Sequence, residues 1–272
     1  MKPMIILATI VLLALAAWKL LRVYEQRQVF HPRPGLEETP ADRNLAYRDL
    51  SVSSGAETLQ AWLVPADRPR GAMLYCHGNF GNLSDCLDTV EVYRRLGLDV
   101  LVFDYRGYGN SSGTPDEAGT YEDAQAAWKL LTEDLAYAPA RTIVFGRSLG
   151  GAVALRLAAD RRPAALIVEA SFPSLRQVAE RLHPALPVGL MLRYRYPGAE
   201  YAARTECPKL FIHSRDDNLI PLSLGRELYA AAAEPKEFLE IGGPHASGFL
   251  ETGPPYIAGV GRFLDRVLGP RP

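Results

Sequence analysis

The sequence predicts an α/β protein built on a mostly parallel, doubly wound sheet. Short, almost continuously apolar runs recur at residues 72–76, 100–103, 142–145 and 165–168, and continue at 210–213 and 238–241. Runs of this length suit strands buried on both faces. The first four are each followed by helical sequence, and such alternation gives a parallel sheet covered by helices. With 272 residues, 48% hydrophobic and 22% charged, the chain can fill one large core of this kind.

The N-terminal stretch stands apart. Residues 4–17 contain no charged side chain, and Trp18-Lys19-Leu20-Leu21 extends the run. With Lys19 snorkelling, the segment reaches the roughly 17 to 20 residues that cross a bilayer. Trp18 and Tyr24 suit the interface. A cleaved signal peptide is the competing reading, with Lys2 as its basic region and Ala14-Leu15-Ala16 as its cleavage site. Leu20, Leu21 and Val23 carry the apolar character past that site and favour a retained single-pass anchor. Lys19, Arg22, Arg27 and Arg33 follow the segment, against Lys2 before it, so the positive-inside rule favours a cytoplasmic domain. Residues 1–27 are thus expected as anchor and juxtamembrane segment, and 28–272 as the globular domain.

Residues 28–44 read as a linker laid over the domain surface. Residues 45–53 and 58–64 form an opening hairpin turned through Ser54-Gly55. Helices are expected at 83–96, stopped by Gly97, and at 121–135, 222–233 and 254–268. The formal net charge of −1 gives no reason to expect a nucleic-acid partner. Cys76, Cys86 and Cys207 lack metal-ligand spacing, and their odd number argues against a disulfide framework, leaving buried free thiols.

Gly146-Arg147-Ser148-Leu149-Gly150 joins the run at 142–145 to a good helix former at 152–159. Strand, G-x-S-x-G and helix in that order describe a nucleophile elbow, with Ser148 held in a strained turn. Only glycine leaves room two positions before and after it. A serine hydroxyl needs a base, and the base an orienting acid. In this topology they follow the serine as acid, then histidine.

Of the five histidines, His31 and His183 read as surface or packing residues, and His77 as loop-shaping. His213 would precede its acid. His245, on the small-residue loop after the last strand, is the expected base. Asp216 and Asp217 both follow the preceding strand as candidate acids, with Glu169 as an outside alternative. For an oxyanion, one amide is expected from Leu149 and another from Asn79 or Phe80, in the glycine-bearing loop His77-Gly78-Asn79-Phe80-Gly81-Asn82. The segment at 104–113 lacks the P-loop order, so Asp104 and Arg106 are read as fixing a strand-end turn.

Together these motifs resemble the α/β-hydrolase superfamily over essentially the whole chain after the anchor, in particular its membrane-anchored bem-type and abhydrolase-like members. His77-Gly78-Asn79 with Gly81-Asn82, Phe103-Asp104-Tyr105-Arg106-Gly107-Tyr108-Gly109, Gly146-Arg147-Ser148-Leu149-Gly150-Gly151 and Leu219-Ile220-Pro221 carry the resemblance. It places the acid four residues before the proline, which selects Asp217. Ser214 stands where these proteins usually have glycine. The Cys-rich N-terminus of the palmitoylated members is absent, so their protein-depalmitoylating role does not carry over.

The resemblance implies the α/β-hydrolase fold and a serine hydrolase of carboxylic esters or thioesters. Ser148, Asp217 and His245 would be catalytic, and no metal or organic cofactor is implied. Residues 171–204 are the only place for a cap, and a short one. An open site of this kind fits small-molecule esters, or acyl groups carried by lipids or proteins near the membrane. A serine peptidase sharing the triad, and a catalytically silent scaffold, are the alternatives. Oligomeric state is not legible in the sequence.

Overall fold

The computed structural model describes residues 2–185, 187–188 and 192–271. Eight strands form one sheet: β1 (Arg48–Ser54), β2 (Glu57–Val64), β3 (Gly71–Cys76), β4 (Leu98–Phe103), β5 (Thr142–Arg147), β6 (Ala165–Glu169), β7 (Lys209–Ser214) and β8 (Lys236–Ile241). Their spatial order is β1-β2-β4-β3-β5-β6-β7-β8. Pairing is antiparallel from β1 to β4 and parallel from there on.

The apolar runs become central strands because both faces are covered. Leu74, Val144 and Leu101 point into one core, and their neighbours Met73, Ile143 and Val100 into the other. The first core is closed by α3 (Glu117–Lys129) and α4 (Leu149–Arg161), and the second by α2 (Leu87–Arg95) and α9 (Pro254–Leu268). Between them in sequence lie α5 (Leu175–Leu182), α6 (Gly198–Arg204), α7 (Leu222–Ala231) and α8 (Gly248–Thr252). The strand order reverses between β3 and β5, which pair side by side with Cys76 opposite Gly146. Crevices beyond such a switch point are where open α/β sheets bind ligands.

The structure shifts two expected elements. Helix α3 starts one turn before the expected 121, because Asp116 caps it by accepting a 2.7 Å hydrogen bond from the Gly119 amide. Of the expected surface linker, 28–44, all but Val29, Phe30 and Pro40 is at least partly exposed. Helix α1 (Lys2–Val29) reaches only its first two residues, and Val29 and Phe30 are buried in the first core. His31 and Pro32 then pair in parallel with Phe80 and Gly81.

At about 1.5 Å per residue, α1 is roughly 42 Å long. Residues 5–20 are exposed on every face, and α1 is the one helix among the described residues long and apolar enough to cross a membrane. Cys76, Cys86 and Cys207 are buried free thiols. Within the expected cap, Leu186, Gly189, Leu190 and Met191 lie outside the described residues. Tyr194 and Tyr196 of the same segment pack into the first core, while α5 stands over the strand ends.

Candidate active site

Local geometry dictates the glycines of the elbow. A Cβ on Gly146 would lie 2.2 Å from the Gly150 carbonyl oxygen, and one on Gly150 would lie 2.1 Å from that of Cys76. Both clashes are with backbone, so no side-chain motion relieves them. Ser148, between strand and helix, has φ 55° and ψ −123°. Such a backbone costs about 1–3 kcal/mol in a non-glycine residue and persists only where its surroundings enforce it. The Ser148 amide donates to the Glu169 carbonyl at 2.9 Å, which ties the strained residue to the end of β6.

Ser148, His245 and Asp217 come together in a hydrogen-bonded line. His245 Nε2 lies 3.1 Å from Ser148 Oγ, and its Nδ1 lies 2.7 Å from Asp217 Oδ2. Asp217 Oδ1 accepts from the amides of Leu219 at 2.9 Å and Ile220 at 2.8 Å. Burial, the largest influence, pushes the Asp217 carboxyl up. The His245 contact and the two amides outweigh it and hold the group below the ordinary carboxylate range. The carboxylate is therefore charged and points at Nδ1, which fixes Nδ1 as the protonated nitrogen and leaves Nε2 an acceptor facing Ser148.

The other candidate acids are elsewhere. Asp216 is exposed, and its Oδ2 accepts from the Gly243 amide at 3.2 Å. Glu169 is buried against Arg147, with Nε and Oε1 2.9 Å apart. Ser214, at the position where glycine was expected, donates its hydroxyl to the Gly243 carbonyl and accepts from the Asp216 amide, bracing the acid loop against the histidine loop.

The loop after β3 runs against Ser148. A Cβ on Gly78 would sit 3.6 Å from Ser148 Cβ, so the backbone of this loop passes in direct contact with the serine. Leu149 opens α4, where a helix amide has no intrahelical acceptor. Asn79 and Phe80 follow Gly78 at the rim of the same cavity. Tyrosines of the next strand-end loop clamp this turn: Tyr105 donates to the His77 carbonyl at 3.1 Å and Tyr108 to that of Asn79 at 2.9 Å. His77 Nε2 lies 3.4 Å from the buried Asp104, and Arg106 binds Asp123 in the middle of α3. Those residues shape the loop, as the sequence led one to expect.

Sequence reasoning missed three features of the site. Arg147 Nη1 donates to Thr89 at 2.9 Å, and its guanidinium lies 4.1 Å from the Phe249 ring centroid. Its partner Glu169 also accepts from Tyr256 at 2.6 Å, so one buried ion pair links the elbow to α2, α8 and α9. The signal was an arginine beside the nucleophile and a glutamate ending the next strand. His213 is buried beneath the acid, 2.8 Å from the Ile220 carbonyl and 3.6 Å from Asp217 Oδ2, and burial lowers its pKa. Finally, a cavity of about 800 Å³ opens above Ser148, within the range of small-molecule sites. Its walls include the end of α1, and both His31 and His183 border it.

Comparison with known proteins agrees with this arrangement. A model of an alpha/beta hydrolase family matches residues 73–268. The chain is 32% identical to bem46 of Schizosaccharomyces pombe, over 67% of this chain and 64% of that protein. It is 31% identical to the uncharacterized membrane protein YNL320W of Saccharomyces cerevisiae, over 71% of this chain and 70% of the other. Among solved structures, the Pyrococcus furiosus esterase Pf2001 superposes with a TM-score of 0.74 at 21% identity, covering 88% of this chain and all of that one. With that family model spanning well over half of the sequence, the chain belongs to the α/β-hydrolase family.

Proposed function

We propose that this hydrolase is a serine esterase or thioesterase, working through an acyl-Ser148 intermediate. The line from Ser148 Oγ through His245 to Asp217, at 3.1 and 2.7 Å, carries the reading. His245 Nε2 takes the proton as Ser148 Oγ attacks the carbonyl carbon, and Asp217 stabilises the imidazolium. The tetrahedral oxyanion accepts from the Leu149 amide and from that of Asn79 or Phe80, each donor contributing about 3 kcal/mol. The imidazolium then gives its proton to the departing alkoxide or thiolate. Water, deprotonated by the same nitrogen, releases the acid and restores Ser148. Every proton lost by a nucleophile reappears on a leaving group.

The domain is residues 28–272, held at a membrane by the N-terminal helix and, by its flanking cations, on the cytoplasmic side. The membrane relative in yeast and the all-round exposure of residues 5–20 support the anchor. The test is hydrolysis of p-nitrophenyl esters of two to sixteen carbons by the full chain in detergent, beside Ser148→Ala. Turnover that disappears in the variant is expected; equal rates in both proteins would remove the serine from the mechanism.

A further inference from the structure

We infer that the membrane helix is itself a wall of the substrate site, and that the cavity receives a long acyl chain directly from the bilayer holding that helix. The inference rests on the proposed esterase reading and adds to it the class of acyl group and its route of entry.

Three independent observations meet here. The first is the composition of the walls. Leu21, Tyr24 and Val29 of α1 face the cavity from one side, and Leu175, Val178 and Leu182 of α5 from another, with Ser148 and His245 also lining it. An apolar channel between two helices suits a hydrocarbon chain, and one wall continues without a break into the apolar anchor.

The second is how firmly α1 is docked. Glu25 is only 6% exposed, and its carboxylate accepts from the amides of Arg193 and Tyr194 in the segment after α5. Gln26 donates to the Pro115 carbonyl at 2.8 Å, and Phe30 meets Tyr194 edge to face at 5.2 Å. The helix ends on the oxyanion loop: Asn79 Nδ2 donates to the Val29 carbonyl at 2.7 Å, and the His31 amide donates to the Asn79 carbonyl at 2.9 Å. A loosely tethered anchor would need none of these contacts.

The third is where apolar surface is left exposed. Outside α1, the large hydrophobic side chains exposed among the described residues are Phe80, Leu182, Leu219 and Leu250. Phe80, Leu182 and Leu219 all border this cavity. Apolar surface concentrated around one opening marks an interaction site rather than chance exposure. Because α1 leaves the domain at that opening, the surface it meets is the lipid.

The decisive variant is Leu21→Trp in the full chain, reconstituted in phosphatidylcholine nanodiscs, with Leu13→Trp on the exposed face of the anchor as control. Each methylene denied burial costs roughly fourfold. The ratio of kcat/KM for the sixteen-carbon to the four-carbon p-nitrophenyl ester should therefore fall at least tenfold in Leu21→Trp and stay unchanged in Leu13→Trp. An unchanged ratio in Leu21→Trp, in a protein melting normally, overturns the inference.

A second measurement does not depend on turnover. Ser148→Ala in the same nanodiscs is photolysed with palmitic acid carrying a mid-chain diazirine. Adducts on Val178 or Ala179 that vanish when Leu21→Trp is added support the inference, and their absence or their persistence in that background overturns it. Loss of all serine-dependent turnover in the wild type would strike the esterase reading alone, since the photolabelling still decides the cavity's occupant.

Discussion

Replacing Asp217 by asparagine separates the two jobs of its carboxylate. Oδ1 accepts the amides of Leu219 and Ile220, and an asparagine oxygen keeps both bonds, so the loop stays in place. The position of Oδ2, 2.7 Å from His245 Nδ1, receives an amide NH2, which can only donate. Nδ1 must then become the acceptor, which moves the ring proton to Nε2, 3.1 Å from Ser148 Oγ. In that tautomer the imidazole cannot take the serine proton. In the Ser-His-Asp triad of a serine protease the same tautomer reversal costs about 10⁴ in kcat, or roughly 5.4 kcal/mol of barrier. Stability should change far less, by about 1–3 kcal/mol for the lost charge-assisted bonds. Steady-state hydrolysis of a short p-nitrophenyl ester, with a melting curve for each protein, measures both. Asp216→Asn, at an exposed carboxylate off the line, should stay within about threefold of wild type. If Asp217→Asn kept a tenth of wild-type kcat, or Asp216→Asn lost more than it did, the assignment of the acid would be refuted.

Further outcomes follow from the same contacts. Glu169→Gln leaves the buried Arg147 guanidinium without its counter-ion, so stability should fall by about 3–5 kcal/mol and Tm by roughly 10 °C; a Tm within 2 °C or so of wild type would show the pair to be dispensable. Gly150→Ala drives a methyl into two carbonyl oxygens at 2.1 and 2.2 Å and should yield no soluble folded protein. Gly261→Ala in α9, where the nearest atom is 3.9 Å away, should instead gain up to about 1 kcal/mol; equal melting of the two variants would refute the packing account of the elbow. The depressed Asp217 carboxyl predicts an acid-dependent stability. A group whose folded pKa lies below its unfolded value of about 3.9 stabilises above that value, and the contribution disappears as pH falls through the folded pKa. The Tm difference between wild type and Asp217→Asn should thus hold from pH 7 to about 5 and close below about pH 4. A difference constant down to pH 3 or so would mean the carboxylate contributes through shape alone.

Legibility in the sequence tracked how local each constraint is. Strands buried on both faces announce themselves as apolar runs, and the elbow does so because the glycines it requires, Gly146 and Gly150, stand two residues either side of Ser148, although the carbonyls Gly150 makes room for belong to the distant Cys76 and His77. His245 and the acid loop were found through chain order, which the topology imposes. The choice between Asp216 and Asp217 needed the family spacing, since adjacent carboxylates differ only in which side of the loop they face. What stayed hidden was pairing over long separations. Nothing in the local pattern around Arg147 says that Glu169 and Tyr256 meet it, or that His213 packs under Asp217. The stretch from 28 to 44 reads as a linker throughout because its polar residues dominate the local composition. Val29 and Phe30, the two side chains that sink into the core, are too few to form a periodic signal.

The burial of Val29 and Phe30 has a physical consequence for the proposed site. Residue 20 is the last of the fully exposed stretch, and Val29 is already hydrogen-bonded to the oxyanion loop. Nine residues of helix span about 14 Å, so the end of α1 that borders the cavity stands roughly that far from the fully exposed stretch. A flexible tether of the same length would let the domain tumble and sample the aqueous phase. A helix clamped at Glu25 and Val29 turns with the domain as one body, because its contacts run to the segment after α5 and to Asn79 in the loop after β3. Under the proposed anchoring and mechanism, orientation towards the bilayer and the geometry of the loop after β3 are thus held by the same contacts. A domain cut free at residue 28 would lose Leu21, Tyr24 and Glu25 and keep its triad, so it should hydrolyse short esters with a loosened oxyanion loop and an open-sided cavity.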